Sequence, residues 1–404
     1  MKTRSFEERI TALGLSPDTF NNSKNGENSR MVISRTIHSI EEFRNFLDQG
    51  LTQEEREKQV AALIPSSSKS PEPTADLLHH VHQYLFGNAP FPADHRELLD
   101  SIFPVEAITM VAKDMVVSSG EDLNVEGPLA KIEVGTLTFE QGGYLTIKNQ
   151  TLDFTADIII RNGNSGSASF ADFNILGKPG NSPSPAGTPA APGQAQAGDP
   201  GTCSSAGIAG RGGTPGHTGA SGGTGDPGGQ GGDGLPSMPA RITINNSIGG
   251  TTGVISVATQ SGIGGNGGQG GDGASGGQGG NGGSGVSCGC TGNSGASGGN
   301  GGEGGNGGEG GNGGNGVDAT GHTAVFLPAS DISKVIPIEH SAPAGEGGDG
   351  GAGGAGGAGG AAGGGGKGNP GGSNGNAGGQ GSTSKGGDSG TISGTPGKIN
   401  IQSL

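Results

Sequence analysis

The sequence predicts a multi-part protein: a small α-helical N-terminal domain, a β-rich middle (sandwich or solenoid), and a C-terminal polyglycine II helix bundle interleaved with short strands. Three observations point there. Of the chain's 93 glycines, 77 fall from Gly201 onward and recur with a period of three. Short apolar segments of β character interrupt those glycine blocks, and the N-terminal quarter carries helix start signals instead. The boundaries that follow are 1–105 for the helical head, 106–176 for the β-rich domain, 177–206 for a Pro/Gly-rich lead and 207–404 for the glycine-rich region with its strands.

The head rests on capping pairs of the Ser/Thr/Asp-x-x-Glu type at Ser5 to Glu8, Ser39 to Glu42, Thr52 to Glu55 and Asp94 to Glu97, each ahead of an amphipathic run. Ile40, Phe43, Phe46 and Leu47 fall on one helical face, as do Leu77, Leu78, Val81, Tyr84 and Leu85. Pro65 to Pro73 reads as a linker between helices.

From Val105 to Leu176 the apolar period becomes two. Val116-Val117, Leu123-Asn124-Val125, Lys131 to Val134, Thr136 to Phe139, Tyr144 to Ile147 and Asp157 to Ile160 are short β-branched runs punctuated by Gly120, Gly127, Gly135 and Gly142-Gly143. Leu123 and Leu145 stand 22 residues apart, the length of one solenoid coil, and an antiparallel sandwich fits the same runs.

Beyond Pro200 the glycines form four blocks. Glycine holds every third position from Gly207 to Gly234; double-glycine triplets run from Gly264 to Gly285 and from Gly298 to Gly316; the last block, Gly347 to Gly381, begins as double-glycine triplets and then loosens. A period of three belongs to neither helix nor strand but to the polyproline II conformation, which has three residues per turn and no internal hydrogen bonds. Its amides must go to water or to neighbouring rods, and only glycine lets such rods touch. Low hydrophobicity with Gly and Pro richness also describes a disordered chain, and Gly207 to Gly234 also fits a proline-poor collagen. Interleaving favours a folded bundle: Arg241 to Ile244, Gly253 to Val257, Thr323 to Leu327, Val335 to Ile338 and Lys398 to Ile401 read as strands returning to a sheet between glycine excursions. The third residue of each triplet, mostly Asn, Gln, Asp, Glu, Ser or Ala, is expected to point outward.

Composition limits the function. The chain is 29% hydrophobic with no Trp, and its net charge is −15 with no basic patch, which argues against nucleic acid as a partner. There is no signal peptide and no transmembrane segment in the sequence, so it reads as a soluble protein, cytoplasmic at synthesis, with release by lysis, by a non-classical secretion system or on a virion left open. Cys203, Cys288 and Cys290 allow one disulfide, with Cys203 paired to either of the other two. His79 and His82 have i, i+3 spacing but no acid or cysteine nearby, and read as surface histidines rather than metal ligands. Gly267 to Asp272 lacks the apolar residue of a calcium repeat, and Gly285-Val286-Ser287-Cys288-Gly289 matches the nucleophile elbow by letters only. No catalytic residue, cofactor or metal is assigned, and the expectation is a protein that is not an enzyme.

The interrupted double-glycine triplets between Gly207 and Gly381 resemble the polyglycine II proteins, such as the receptor-binding adhesins at the tips of T-even-like phage tail fibres and the glycine-rich antifreeze proteins of snow fleas. The likeness is one of architecture. It implies a rigid scaffold whose loops at one end touch a cell-surface receptor or glycan, while residues 1–105 dock to a carrier or form a homo-oligomer. The breaks supply the candidate binding loops: Leu235 to Met238, Val286 and Ser287 through Thr291, Val317 to His322, and Lys367 to Asn376. A released bacterial toxin or effector whose glycine-rich part binds a host surface is the alternative. Ice binding is a further one, suggested by Ala352, Ala355, Ala358 and Ala361 at every third position.

Overall fold

A computed structural model describes residues 4–21, 30–47, 51–64, 73–91, 96–97, 101–125, 129–164 and 171–404. Its backbone is mixed α/β, and strands outweigh helices. The N-terminal part contains α1 (Phe6–Ala12), α2 (Asp18–Asn21), β1 (Met31–Ile37), α3 (Ile40–Leu47), α4 (Gln53–Leu63) and α5 (Pro73–Phe86). Capping explains where two of these helices begin. At Ser5 and Thr52 both halves of a capping box are made, with Glu8 and Glu55 reaching back to the cap amides. Ser39 accepts from the Glu42 amide, but the Glu42 carboxylate turns to the amide of His38 instead. Asp94, the cap of the Asp94 to Glu97 pair, and residues 65–72 of the linker lie outside the described residues.

One segment departs from the helical expectation. Met31–Ile37 is a strand that pairs antiparallel with β2 (Val105–Val117), so the N-terminal part supplies an edge of the main sheet.

From β2 onward the chain visits two sheets in turn: β3 (Asp122–Val125), β4 (Leu129–Phe139), β5 (Tyr144–Lys148), β6 (Thr151–Arg161), β7 (Phe173–Leu176), β8 (Ala240–Gly249) and β9 (Ile255–Gln260). A small hairpin, β10 (Ser287–Cys288) and β11 (Thr291–Gly292), stands apart, and β12 (Thr323–Leu327), β13 (Val335–His340) and β14 (Ile399–Ser403) resume the alternation. The larger sheet has the order β1-β2-β4-β6-β8-β12-β14 and the smaller β13-β9-β7-β5-β3. Every pair after β1–β2 in these sheets is parallel, which excludes the antiparallel sandwich and leaves a two-sheet solenoid. Leu123 sits directly beside Leu145, 22 residues on. The runs Lys131 to Val134 and Thr136 to Phe139, separated by Gly135 in the sequence, are one continuous strand, β4.

Between the sheets, like side chains stack from coil to coil. Met110, Ile132, Phe154, Ile242, Val325 and Ile401 follow one another across the larger sheet, and Leu123, Leu145, Phe173 and Val257 across the smaller. All but Ile401, which is partly buried against them, are buried and form one core.

On the outer face of the larger sheet a second ladder is charged. Lys131, Asp153 and Arg241 occupy successive positions of one register. Asp153 Oδ2 lies 3.3 Å from Lys131 Nζ and 2.7 Å from Arg241 Nη2. The head covers this ladder: Arg241 also donates to Gln59 Oε1 of α4, at 3.0 Å. Beside it Ala324 and Phe326 pack on Ile40, Leu47, Leu63 and Leu85 of the helices.

His82 corrects the surface reading of the α5 histidines. It is 3% exposed, beside Phe86, and bonds the backbone of Thr320. Burial lowers its pKa to about 4 from an ordinary value of 6.5. The folded state therefore resists a proton that the unfolded chain accepts, so stability is full above pH 6.5 and falls as pH drops toward 4. The expected loss attributable to His82 is about 3 kcal/mol across that window. His82→Gln, neutral at every pH and still a donor, should flatten the wild-type pH profile of melting temperature between those limits; parallel profiles would contradict the assignment.

Three coils are interrupted by long excursions. The register offset between successive strands of the larger sheet, 22 residues between β4 and β6, grows to 88 between β6 and β8, 83 between β8 and β12 and 76 between β12 and β14. Each excursion leaves the smaller sheet, runs outward, turns and returns to the larger one. This gives six extended runs, neither helix nor strand: run 1 (178–201), run 2 (211–235), run 3 (262–285), run 4 (293–317), run 5 (343–366) and run 6 (371–394).

Candidate binding surface on the glycine runs

Hydrogen bonds join the runs at every third residue. Gly216, Gly219 and Gly222 of run 2 donate to Ser297, Asn300 and Glu303 of run 4, and Gly270, Gly273 and Gly276 of run 3 to Asp349, Ala352 and Ala355 of run 5. These sideways bonds connect parallel runs, placing 1, 3 and 5 in one layer and 2, 4 and 6 in the other. Antiparallel bonds stitch the layers together, as from Gly302 to Gly277 and from Gly354 to Gly305, each 2.8 Å. In an inner triplet the first glycine donates sideways and the second across, so two of three amides are satisfied by backbone.

The third amide explains the asparagines. Asn266 Oδ1 accepts from the amide of Glu346 at 3.0 Å, Asn306 from Ser382 at 2.9 Å and Asn312 from Asp388 at 2.8 Å. The third residue is thus exposed, as the period predicts, yet its asparagines are fastened to the adjoining run instead of being free for a ligand.

Glycine content follows the number of neighbours. In run 4 a Cβ on Gly301 would collide with the carbonyl of Gly357, and one on Gly302 with that of Ala220, so both positions of the triplet require glycine. Run 6 lies at an edge. There Gly378 faces the Gly302 carbonyl, while Gly379 has nothing within 4 Å. Asn376 and Ser382, three residues to either side of Gly379, accordingly carry exposed side chains, and the loosening of the last glycine block marks the end of the lattice. None of these inner glycines has a positive φ; the requirement is close approach, not backbone freedom.

The turns divide between two ends, contrary to the expectation of a single loop cluster. Residues 202–210, the β10–β11 hairpin and residues 367–370 lie at the far end of the runs. A disulfide joins Cys203 to Cys288 there, and Cys290 is a free, exposed thiol. Val286, Ser287, Thr291 and Lys367 belong to this tip: Thr291 Oγ1 accepts from the Ala209 amide at 2.8 Å, and Ser287 Oγ from the Lys367 amide at 2.9 Å. Leu235, Met238, Val317 and His322 lie at the base. Their segments bond one another and the solenoid: the Val317 amide donates to Gly262, Thr320 Oγ1 to Ser237, and the His322 amide to Leu63 of α4. Asn376 is in run 6, where its carbonyl and amide both bond run 4.

Sequence reasoning missed the first tip turn. Residues 202–206 read as the end of the lead and 207–210 as the start of the first glycine block, whereas together they form this turn and most of the lead is run 1. Ile208 is 55% exposed on that turn, and the lone signal was the non-periodic Cys203 to Ala206 before Gly207. A second missed residue organises the tip. Asn293 is 7% exposed; its Oδ1 accepts from Val286, and its Nδ2 donates to the carbonyls of Thr202 and Arg211 at 3.0 and 2.7 Å. Asn293→Asp would set a carboxylate against those two carbonyls, and is expected to destabilise the tip by about 2–3 kcal/mol. Hydrogen exchange at the amides of Val286 and Gly366 would report it; unchanged protection would refute the role.

Among the described residues no helix is long and apolar enough to cross a membrane. No known family, characterised protein or solved structure matches the chain.

Proposed function

We propose that the six runs are polyglycine II rods packed as a two-layer bundle, and that the protein is a non-enzymatic binding scaffold of adhesin-like type. The observation that carries this reading is the hydrogen bonding of runs 2 to 5 to their neighbours at every third residue, with run 1 joining wherever proline does not remove the amide, which makes a stiff arm from a chain poor in apolar residues. Its far end is tied by the Cys203–Cys288 bond and by Asn293. Loops on a preordered frame lose little entropy on contact, so exposed tip residues such as Ile208, Ser287, Cys290, Thr291 and Lys367 are suited to touching a receptor or glycan.

Loop exchange tests this. Replacing residues 204–208 together with 367–370 by Gly/Ser sequence of equal length should abolish attachment of the labelled protein to cells or to a glycan array. Exchange of exposed residues on run 6, away from the tip, should leave it unchanged. Attachment that survives every tip exchange would end the reading.

The exposed row Ala352, Ala355, Ala358 and Ala361 on run 5 favours a second reading, ice binding. A thermal hysteresis measurement with no effect would remove it.

A further inference from the structure

The two sheets end together at the last coil, where β14 is the terminal strand of the larger sheet and β13 of the smaller. The opposite end of the larger sheet is closed by β1, which lies antiparallel on β2 and belongs to the head. Every coil of a solenoid is built to stack on a neighbour, so an end facing water calls for a polar cap. The last coil has the features of a stacking surface instead. β14 contains no charged residue and no proline, the usual guards of a free edge. Ile332, Ile336 and Ile392, three of the most exposed large apolar side chains, belong to this coil and to run 6, which leads into it. Pro337 is exposed as well. The charges around them, Asp331 and Glu339 against Lys334 and Lys398, cancel, in a chain whose net charge is −15.

The ladder with β12 fixes which backbone groups of β14 are on offer. Lys398 O accepts from the Thr323 amide and the Leu404 amide donates to Leu327 O, so Asn400 and Gln402, between them in the same alternation, also turn their amides and carbonyls to β12. Ile399, Ile401 and Ser403 turn theirs away from the sheet. Glu339 Oε1, reaching from β13 across the end of the coil, accepts from the Ile399 amide at 2.8 Å. Among the described residues no strand lies on that side of β14 to take the amides of Ile401 and Ser403.

We propose that a second copy of this chain docks on the last coil about a two-fold axis normal to the sheets, with β14 pairing antiparallel to its counterpart. The end of a two-sheet solenoid presents two edges at a fixed separation, and the same end of another copy matches that separation by construction. Head-to-tail stacking is blocked, since β1 occupies the other end of the larger sheet. Pairing β14 with the β13 of the second copy is disfavoured, because Pro337 has no amide to give to a ladder. In the two-fold arrangement β13 meets its counterpart through Ile336 and Pro337, and β14 supplies the hydrogen bonds. Self-association then belongs to the last coil and not to residues 1–105. Antiparallel pairing reverses strand direction between the copies, and every excursion returns where a strand of the larger sheet begins, so the two arms point in opposite directions.

Sedimentation equilibrium and amide exchange on the full chain test this, with Cys290→Ser so that no free thiol can link copies. The mass should approach twice that of one chain as concentration rises. The amides of Ile401 and Ser403 should gain protection in step with the dimer, while those of Asn400 and Gln402, bonded to β12 in either state, should not change. Ser403→Pro with Ile336→Lys alters two exposed positions, removing one outward amide and setting like charges against each other. Its melting curve in dilute solution should match that of the parent, and its association should be at least about tenfold weaker. A single-chain mass at every concentration would overturn the proposal. A dimer in which Ile401 and Ser403 exchange as fast as in single chains would also overturn it, since that dimer uses another surface, and so would a double variant that associates as well as the parent.

Discussion

Gly302→Ala is expected to destabilise the glycine bundle by at least about 3 kcal/mol, far more than a single methyl group normally does on a protein surface. The added carbon would land on the backbone carbonyl of Ala220, with the carbonyl carbon behind it. Neither atom is the end of a flexible side chain, so run 2 and run 4 would have to part. Parting them strains the Gly302 to Gly277 bond and the bonds from Gly219 and Gly222 to run 4, each 2.8 Å. Gly379→Ala is the matched control. It meets nothing within 4 Å and has no positive φ, so its effect should stay within about 0.5 kcal/mol. Melting curves of the two variants, with amide exchange at Gly302 and Gly305, check the pair. Equal effects would mean that the runs do not touch as described.

Asp153→Ala should be comparably severe, at about 3–5 kcal/mol, because it removes the carboxylate that two buried cations share in a dry interface. Asp153 is fully buried between Lys131 and Arg241. Burial pushes its pKa up, but Arg241 and Lys131 more than offset this and hold it below the ordinary carboxylate value. Removing the carboxylate takes from Arg241, 4% exposed, the charged partner of its guanidinium and keeps the neutral acceptors Gln59 and the Leu47 carbonyl. The effect belongs to the unpaired charges and not to a large net worth of the ion pairs. Lys131→Met, Asp153→Leu and Arg241→Met combined should therefore recover most of the loss. Urea unfolding of the single and triple variants decides it; a triple variant as unstable as Asp153→Ala would show that packing, not charge, is at stake.

Much of the strand framework was legible because it depends on local pattern. Thr323–Leu327 is a strand over the very residues whose β-branched and aromatic character predicts one, and the 22-residue spacing of Leu123 and Leu145 is the coil length. The same spacing separates Lys131 from Asp153, so one step of the charged ladder was within reach. Its third member was not, since the first glycine excursion puts Arg241 88 residues beyond Asp153. β1 was hidden by weak alternation: its pattern of exposure is irregular, with Val32 60% exposed, and it lies between helices. Run 1 was hidden by composition. With few neighbours it needs little glycine, and Pro183, Pro189 and Pro192 take positions at which an amide would otherwise donate to run 3. Tip and base loops interrupt the triplets alike, and only their distance from the next strand separates them. Leu235 to Met238 leads within two residues into β8 and is therefore at the base.

The interlocked triplets also restrict how this arm can change in length over generations. Inserting one or two residues in any run would throw every later amide in that run out of step with its partners, so only multiples of three preserve the fit. A whole triplet, about 9 Å of extra reach, would still project past the adjoining runs unless they gained one as well. The distance from the sheets to the tip is therefore quantised and shared. It can be altered by concerted edits in all three excursions, while the turns at the far end remain free to vary one residue at a time.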